Sequence, residues 1–186
     1  MNRYELLERY VLWEGKFLRG VKIAYRDAEG SVREWETTER VNCSGVVAVV
    51  PITDSGELVL IRQYRPAVGN VVVEFPAGLN DKGERLEQAA RRELLEETGY
   101  EPRRLTLLAH GPLSSGSSSE LLTVYLAEGL EYRGIGERDE TEDIEVLKAP
   151  LVHLYEYLSA REREGNYIDL KIYGFVELAK RKRLRG

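Results

Sequence analysis

Residues 78–100, GLNDKGERLEQAARRELLEETGY, place Glu84, Glu93, Glu96 and Glu97 with Arg92 along one stretch of helical spacing that stops at Gly99. At 3.6 residues per turn, Glu93 and Glu97 fall one turn apart on one face, and Arg92 and Glu96 form the neighbouring i,i+4 pair. Carboxylates in the last turns of a helix face the negative end of its dipole and repel one another, so the pattern is locally unfavourable. Arg91 and Arg92 offset part of that charge. A glutamate cluster with no His or Cys suits a divalent cation that prefers hard oxygen ligands, and it predicts a metal site built on a helix.

The surrounding pattern predicts where that helix sits. Residues 46–50 form an apolar run suited to a central strand, followed by a turn at 54–56 and a strand over 58–64. Residues 71–75 read as a strand leading through Pro76-Ala77-Gly78 into the helix 85–98. Strands at 105–109 and 121–127 flank a Gly/Ser-rich segment, 111–119, that reads as a loop at a binding cleft. Residues 151–163 and 167–183 have helical spacing, with Gly165 between them. Ahead of all this, 17–25 and 31–40 alternate around turn residues 27–30, as an antiparallel β-hairpin does. A two-stranded ribbon is marginal alone, so it must pack on the main domain or on another subunit. Interleaved strands and helices predict an α/β fold in α/β/α layers, with residues 1–43 as an N-terminal β arm and 44–186 as the main domain.

A chain of 186 residues is long enough for one well-buried domain with a small arm and crowded for two. Apolar runs such as 46–52 are far too short to span a bilayer. The N-terminus MNRYELLERYVLWEG mixes charged with apolar residues, so no signal peptide is expected and the chain is expected to start at Met1. The single cysteine, Cys43, excludes an internal disulfide and a cysteine zinc site, fits a reducing cytoplasm, and reads as a small buried residue at the start of a strand. A net charge of -5 argues against a general nucleic-acid binder. The basic end, KRKRLRG, reads as a solvated helix terminus with cations at the favourable end of the dipole. His110 and His153 fall in no metal-ligand pattern and read as structural or surface residues.

The spacing from Gly78 through Glu84 to Arg92-Glu93-Leu94-Leu95-Glu96-Glu97-Thr98-Gly99 resembles the Nudix box at every fixed position. That resemblance implies the Nudix fold, an α/β/α sandwich with a mixed sheet, and metal-dependent hydrolysis of a diphosphate. Magnesium is held by a few carboxylates together with substrate phosphates, so a diphosphate is its natural partner. By resemblance, Glu93 and Glu97 are the principal metal ligands, Glu96 completes the cluster and the Ala77 carbonyl adds an oxygen. The ions would be Mg2+, with Mn2+ as an alternative, two or three per site. Arg92 would orient the glutamates. Glu84 has two open readings, a helix-start residue or a metal-related one.

A general base must come from elsewhere, and the acidic run 137–145, ERDETEDIE, is the candidate. Its Glu-Thr-Glu-Asp-Ile pattern is similar to the catalytic loop of ADP-ribose diphosphatases within the Nudix family. This implies Glu140 and Glu142 as base and additional metal ligand, in an order left open. The resemblance to that branch extends to Arg62-Gln63-Tyr64-Arg65-Pro66, to Glu74-Phe75-Pro76-Ala77-Gly78, and to Trp35-Glu36 with Arg40. It implies a homodimer that exchanges its N-terminal hairpin and shares its active sites. Phe17 and Trp35 would stack on the base, and Arg40 and Arg65 would bind phosphate or terminal ribose. Bacterial relatives often carry Ser-Pro-Gly after the box, where this chain has Ser114-Ser115-Gly116 and then Ser117-Ser118-Ser119-Glu120. Losing the proline predicts a more flexible loop. The implied substrate is a nucleoside diphosphate sugar, ADP-ribose first; GDP-mannose, another nucleotide sugar or FAD are the alternatives, and a non-catalytic nucleotide sensor is the reading from another class.

Overall fold

The computed structural model describes residues 3–135 and 143–184. The chain opens with three antiparallel strands, β1 Glu5–Glu14, β2 Leu18–Arg26 and β3 Val32–Arg40, which form their own sheet in the order β1-β2-β3. The expected hairpin, β2 with β3, thus gains a third strand. Bulges between Leu6 and Glu8 and between Val11 and Trp13 break the period-2 pattern of β1, which is why alternation did not reveal it. Trp13 lies over its cross-strand partner Gly20, where a Cβ would fall 2.2 Å from the indole nitrogen. Every residue of β1 is exposed. Among the described residues of this sheet, only Gly20, Val21 and Glu39 are buried.

Two mixed four-stranded sheets follow. One contains β4 Val46–Pro51, β7 Ala77–Leu79, β8 Tyr100–Pro112 and β9 Leu121–Tyr132, in the order β7-β4-β9-β8. The other contains β5 Glu57–Arg65, β6 Asn70–Glu74, β10 Glu145–Pro150 and β11 Tyr167–Ile168, in the order β10-β5-β6-β11. The helices are α1 Leu86–Thr98, α2 Leu154–Arg163 and α3 Lys171–Arg183, with a single 3-10 turn, Leu151–His153, ahead of α2.

The apolar run of β4 is buried on both faces, and its alternation separates two cores. Ala48, Val50 and Ile52 join Leu58, Leu60, Phe75, Leu126, Leu158 and Ile172 in the larger one. Val47 and Val49 face the other way, against Ala89, Ala90 and Leu94 of α1. The small alanines let α1 approach β4 closely, so the helix lies beside β7, the short antiparallel neighbour of β4. That approach brings the acidic end of α1 to the Ala77-Gly78 backbone.

Two sequence expectations change. Residues 167 and 168 do not begin a helix; they pair in parallel with Val72 and Val73 as β11, and Asp169 then turns the chain, its Oδ1 accepting the Lys171 amide at 2.9 Å. Cys43 is half-buried in the turn ahead of β4, not in the strand, and its thiol donates to the Gly45 carbonyl at 3.1 Å. Among the described residues, no helix is long and apolar enough to cross a membrane.

Candidate active site

Helix α1 buries Ala89, Ala90, Leu94, Glu97 and Thr98, so the stripe that packs on β4 ends in a carboxylate. Glu97 is only 5% exposed, and its Oε2 accepts the Ala77 backbone N–H at 2.9 Å. One turn earlier, Glu93 lies against Gly78. A Cβ on that glycine would stand 2.0 Å from the Glu93 carboxyl carbon, so the space a side chain would fill belongs to the carboxylate. The helix stops at Gly99, whose φ of 76° favours glycine, with its N–H donating to Leu95 O at 2.8 Å. An added Cβ there would also meet Tyr132 at 2.7 Å.

Arg92 organises the remaining acids. Its Nε donates to Glu84 at 2.8 Å, its Nη1 to Glu93 at 2.7 Å and to Glu96 at 2.9 Å, and its Nη2 to the Leu79 carbonyl at 3.2 Å. Burial works against the charge of Arg92. The hydrogen bonds and charges of Glu84, Glu93 and Glu96 more than offset it, holding the guanidinium more basic than usual. Glu84 is thereby tied to the helix through Arg92, a role neither sequence reading named. Its backbone oxygen accepts the Asn80 amide at 2.6 Å, closing the polar loop onto the helix start. There Gln88 caps the Arg85 N–H at 3.1 Å.

Among the described residues, no three acidic, His or Cys side chains are gathered into a metal cage. Arg92 stands among three of the carboxylates instead. The donor set still fits a hard divalent cation: it offers carboxylate and backbone oxygens only, with a carboxylate cradled where Gly78 leaves room. Glu93, Glu96, Glu97 and the Ala77 carbonyl would hold such an ion. Gly78→Ala should displace the Glu93 carboxylate while leaving strand and helix intact, because the clash is with the end of a flexible side chain. A displacement of this size is expected to cut turnover roughly a hundredfold with little change in melting temperature. Unchanged turnover would refute the cradle.

The other sequence candidates are dispersed. Trp35 on β3 is 50% exposed and its indole N–H donates to Gly116 O at 3.3 Å. Phe17, 62% exposed, sits just ahead of β2, where its carbonyl accepts the Val41 N–H at 3.0 Å. That register leaves Phe17 and Trp35 about 20 Å apart along the sheet, so one chain cannot clamp a base between them. Arg40 pairs with Glu120, and Arg65 donates to the buried Glu74 at 2.7 Å. The candidate base residues Glu140 and Glu142 lie outside the described residues. Just beyond them, Glu145 at the start of β10 binds Arg62 at 2.8 Å. His110, exposed on β8, is hydrogen-bonded with the Thr123 hydroxyl at 2.8 Å, and His153 lies exposed in the 3-10 turn.

The loop that lacks the proline is constrained by other means. The Ser117 and Ser118 amides donate to Ser114 O at 3.0 and 2.9 Å, and the Ser114 and Ser117 hydroxyls bond each other at 2.8 Å.

A family model described as the NUDIX domain matches residues 44–169, which include α1 and both mixed sheets through β11. The chain belongs to the Nudix family. It is 38% identical over 125 residues to a Bacillus subtilis protein named ADP-ribose pyrophosphatase, covering 67% of this chain and 68% of that one. It is 31% identical to the mouse ADP-sugar pyrophosphatase, over 87% of this chain and 81% of the relative. Among solved structures, a crystal structure of an ADP compounds hydrolase superposes with a TM-score of 0.71 at 27% identity, covering 84% of this chain and 83% of that one. The Nudix fold expected from the box is therefore present, with the N-terminal sheet added to it.

Proposed function

We propose that this Nudix enzyme hydrolyses the diphosphate bond of ADP-ribose, releasing AMP and ribose 5-phosphate, as a Mg2+-dependent cytoplasmic homodimer. The observation that carries the reading is the seating of Glu93 and Glu97 on the Ala77-Gly78 backbone, with Arg92 bridging Glu84, Glu93 and Glu96. The relatives named for ADP-ribose, ADP-sugars and ADP compounds support the substrate class.

The roles follow from chemistry. Two or three Mg2+ ions, or Mn2+ in their place, would neutralise the diphosphate, polarise phosphorus and lower the pKa of the attacking water. Glu93, Glu96, Glu97 and the Ala77 carbonyl supply the oxygens, and Arg92 holds the carboxylates in register. Glu140 or Glu142 takes the proton from water as its oxygen bonds to phosphorus and the bridging P–O bond breaks. Arg65 and Arg40 bind phosphate or the distal ribose, and Trp35 and Phe17 stack on the adenine.

The dimer reading is that residues 1–43 form an arm exchanged between subunits, with 44–186 as the catalytic domain. It is supported by β1, which leaves Leu6, Val11 and Trp13 exposed at 79%, 55% and 52%. The separation of Phe17 from Trp35 supports it too, since a base clamped by both rings needs one from each subunit.

The test is to compare kcat/KM for ADP-ribose, GDP-mannose, FAD and NADH with Mg2+. ADP-ribose should be fastest; a different winner reassigns the recognition residues. Stacking on one aromatic ring is worth about 1–3 kcal/mol, so Trp35→Ala should raise KM for ADP-ribose roughly tenfold with kcat little changed. A loss of dimerisation without that KM change, read by sedimentation, would make Trp35 a packing residue.

A further inference from the structure

An outer strand presents unpaired backbone donors and acceptors, and β3 is one of the two outer strands of its sheet. The serine segment fills that edge. Thr38 N–H donates to Ser117 O at 2.9 Å, Ser119 N–H donates to Thr38 O at 3.1 Å, and the Thr38 hydroxyl adds a bond to Ser117 O at 3.0 Å. Two side-chain contacts flank this pairing. Gly116 O accepts the Trp35 indole N–H, and the Glu120 carboxylate accepts from Arg40 Nε. Glu120 is itself held, its N–H donating to the Ser118 hydroxyl at 3.1 Å and its carbonyl accepting the Leu113 N–H at 3.3 Å.

The other carboxylate lining the cleft beside Arg40 is engaged. Glu39, 7% exposed, accepts from Arg19 Nε at 3.0 Å and from Arg9. Arg9, Arg19, Arg40, Glu39 and Glu120 line one cleft of about 260 Å³, where three cations meet two anions. The two carboxylates divide the arginines between them, Arg9 and Arg19 to Glu39 and Arg40 to Glu120. A guanidinium has five N–H donors, so the bond through Nε leaves the Nη groups of Arg40 able to reach a phosphate or a ribose hydroxyl.

We infer that Glu120 is a positioning residue for substrate recognition: it fixes the Arg40 guanidinium while the same segment fixes Trp35 through Gly116, so the serine segment sets the spacing of both contacts. The inference rests on Trp35 and Arg40 contacting substrate. Charge-assisted bonds of this kind are worth enough that Glu120→Gln should raise KM for ADP-ribose roughly tenfold, with kcat within about twofold and the melting temperature held.

The experiment measures kcat, KM and melting temperature for Glu120→Gln, Arg40→Ala and the double variant. The inference expects KM to rise in each single variant and the double variant to be no worse than Arg40→Ala. If Arg40→Ala raises KM and Glu120→Gln does not, the inference fails while the reading of Arg40 stands. If Arg40→Ala leaves KM unchanged, Arg40 is not a substrate contact and both fail. A lower KM in Glu120→Gln would mean that Glu120 competes with substrate, which also overturns the inference. Should Glu120→Gln fail to fold, Glu120→Asp, with its carboxylate set back by one methylene, takes its place, and a rise in KM is again expected.

Discussion

Glu97→Gln is expected to reduce turnover on the order of a thousandfold while the protein stays folded. A metal-held transition-state charge is worth several kcal/mol, and each 1.4 kcal/mol is about tenfold in rate. Glu97 is the most buried acid of α1, and the amide oxygen of glutamine can still accept the Ala77 N–H that Glu97 accepts at 2.9 Å. The substitution therefore removes a charge without removing the hydrogen bond, and it relieves repulsion from Glu93 and Glu96. Activity and stability should part company: turnover collapses and the melting temperature holds or rises. A fall in both together would make Glu97 a structural residue.

Arg92→Ala tests the opposite side of the same cluster. Without the guanidinium, Glu84, Glu93 and Glu96 lose bonds of 2.8, 2.7 and 2.9 Å and face one another uncompensated. Removing one partner of a buried ion network costs about 3–5 kcal/mol. Arg92 is 19% exposed and Glu96 36%, so solvent screening reduces this to about 2 kcal/mol, or roughly 4–8 °C in a chain of this size. Because the variant's site is more negative, excess Mg2+ should raise its melting temperature further than it raises that of the wild type; binding at a hundredfold excess over Kd contributes about 2.7 kcal/mol. An equal rise in both proteins would contradict the view that cation and guanidinium answer the same carboxylate repulsion.

Much of this was legible in the chain. The i,i+4 pairing of Arg92 with Glu96 and the convergence of Glu93 and Glu97 follow from helical spacing alone, and the β4 run 46–50 announced a central strand. What was not legible depends on contacts distant in sequence or on broken periodicity. Arg40 and Glu120 are 80 positions apart, and no local pattern joins them. Strand β1 was hidden by two bulges, and β11 by residues whose helical spacing yields to pairing with β6. Glu84 had a visible signal, its eight-residue distance to Arg92, but helix-start chemistry explained the same residue equally well until the bond between them was seen.

On this reading the acids of α1 make this chain a metal-dependent diphosphatase acting on ADP-ribose. The most direct measurement follows ADP-ribose by phosphorus NMR with protein freed of divalent ions by chelation, before and after Mg2+ is added. No change is expected before addition, then equal amounts of AMP and ribose 5-phosphate. Hydrolysis at the same rate in the presence of chelator, or none after Mg2+ or Mn2+ is supplied, would rule this reading out.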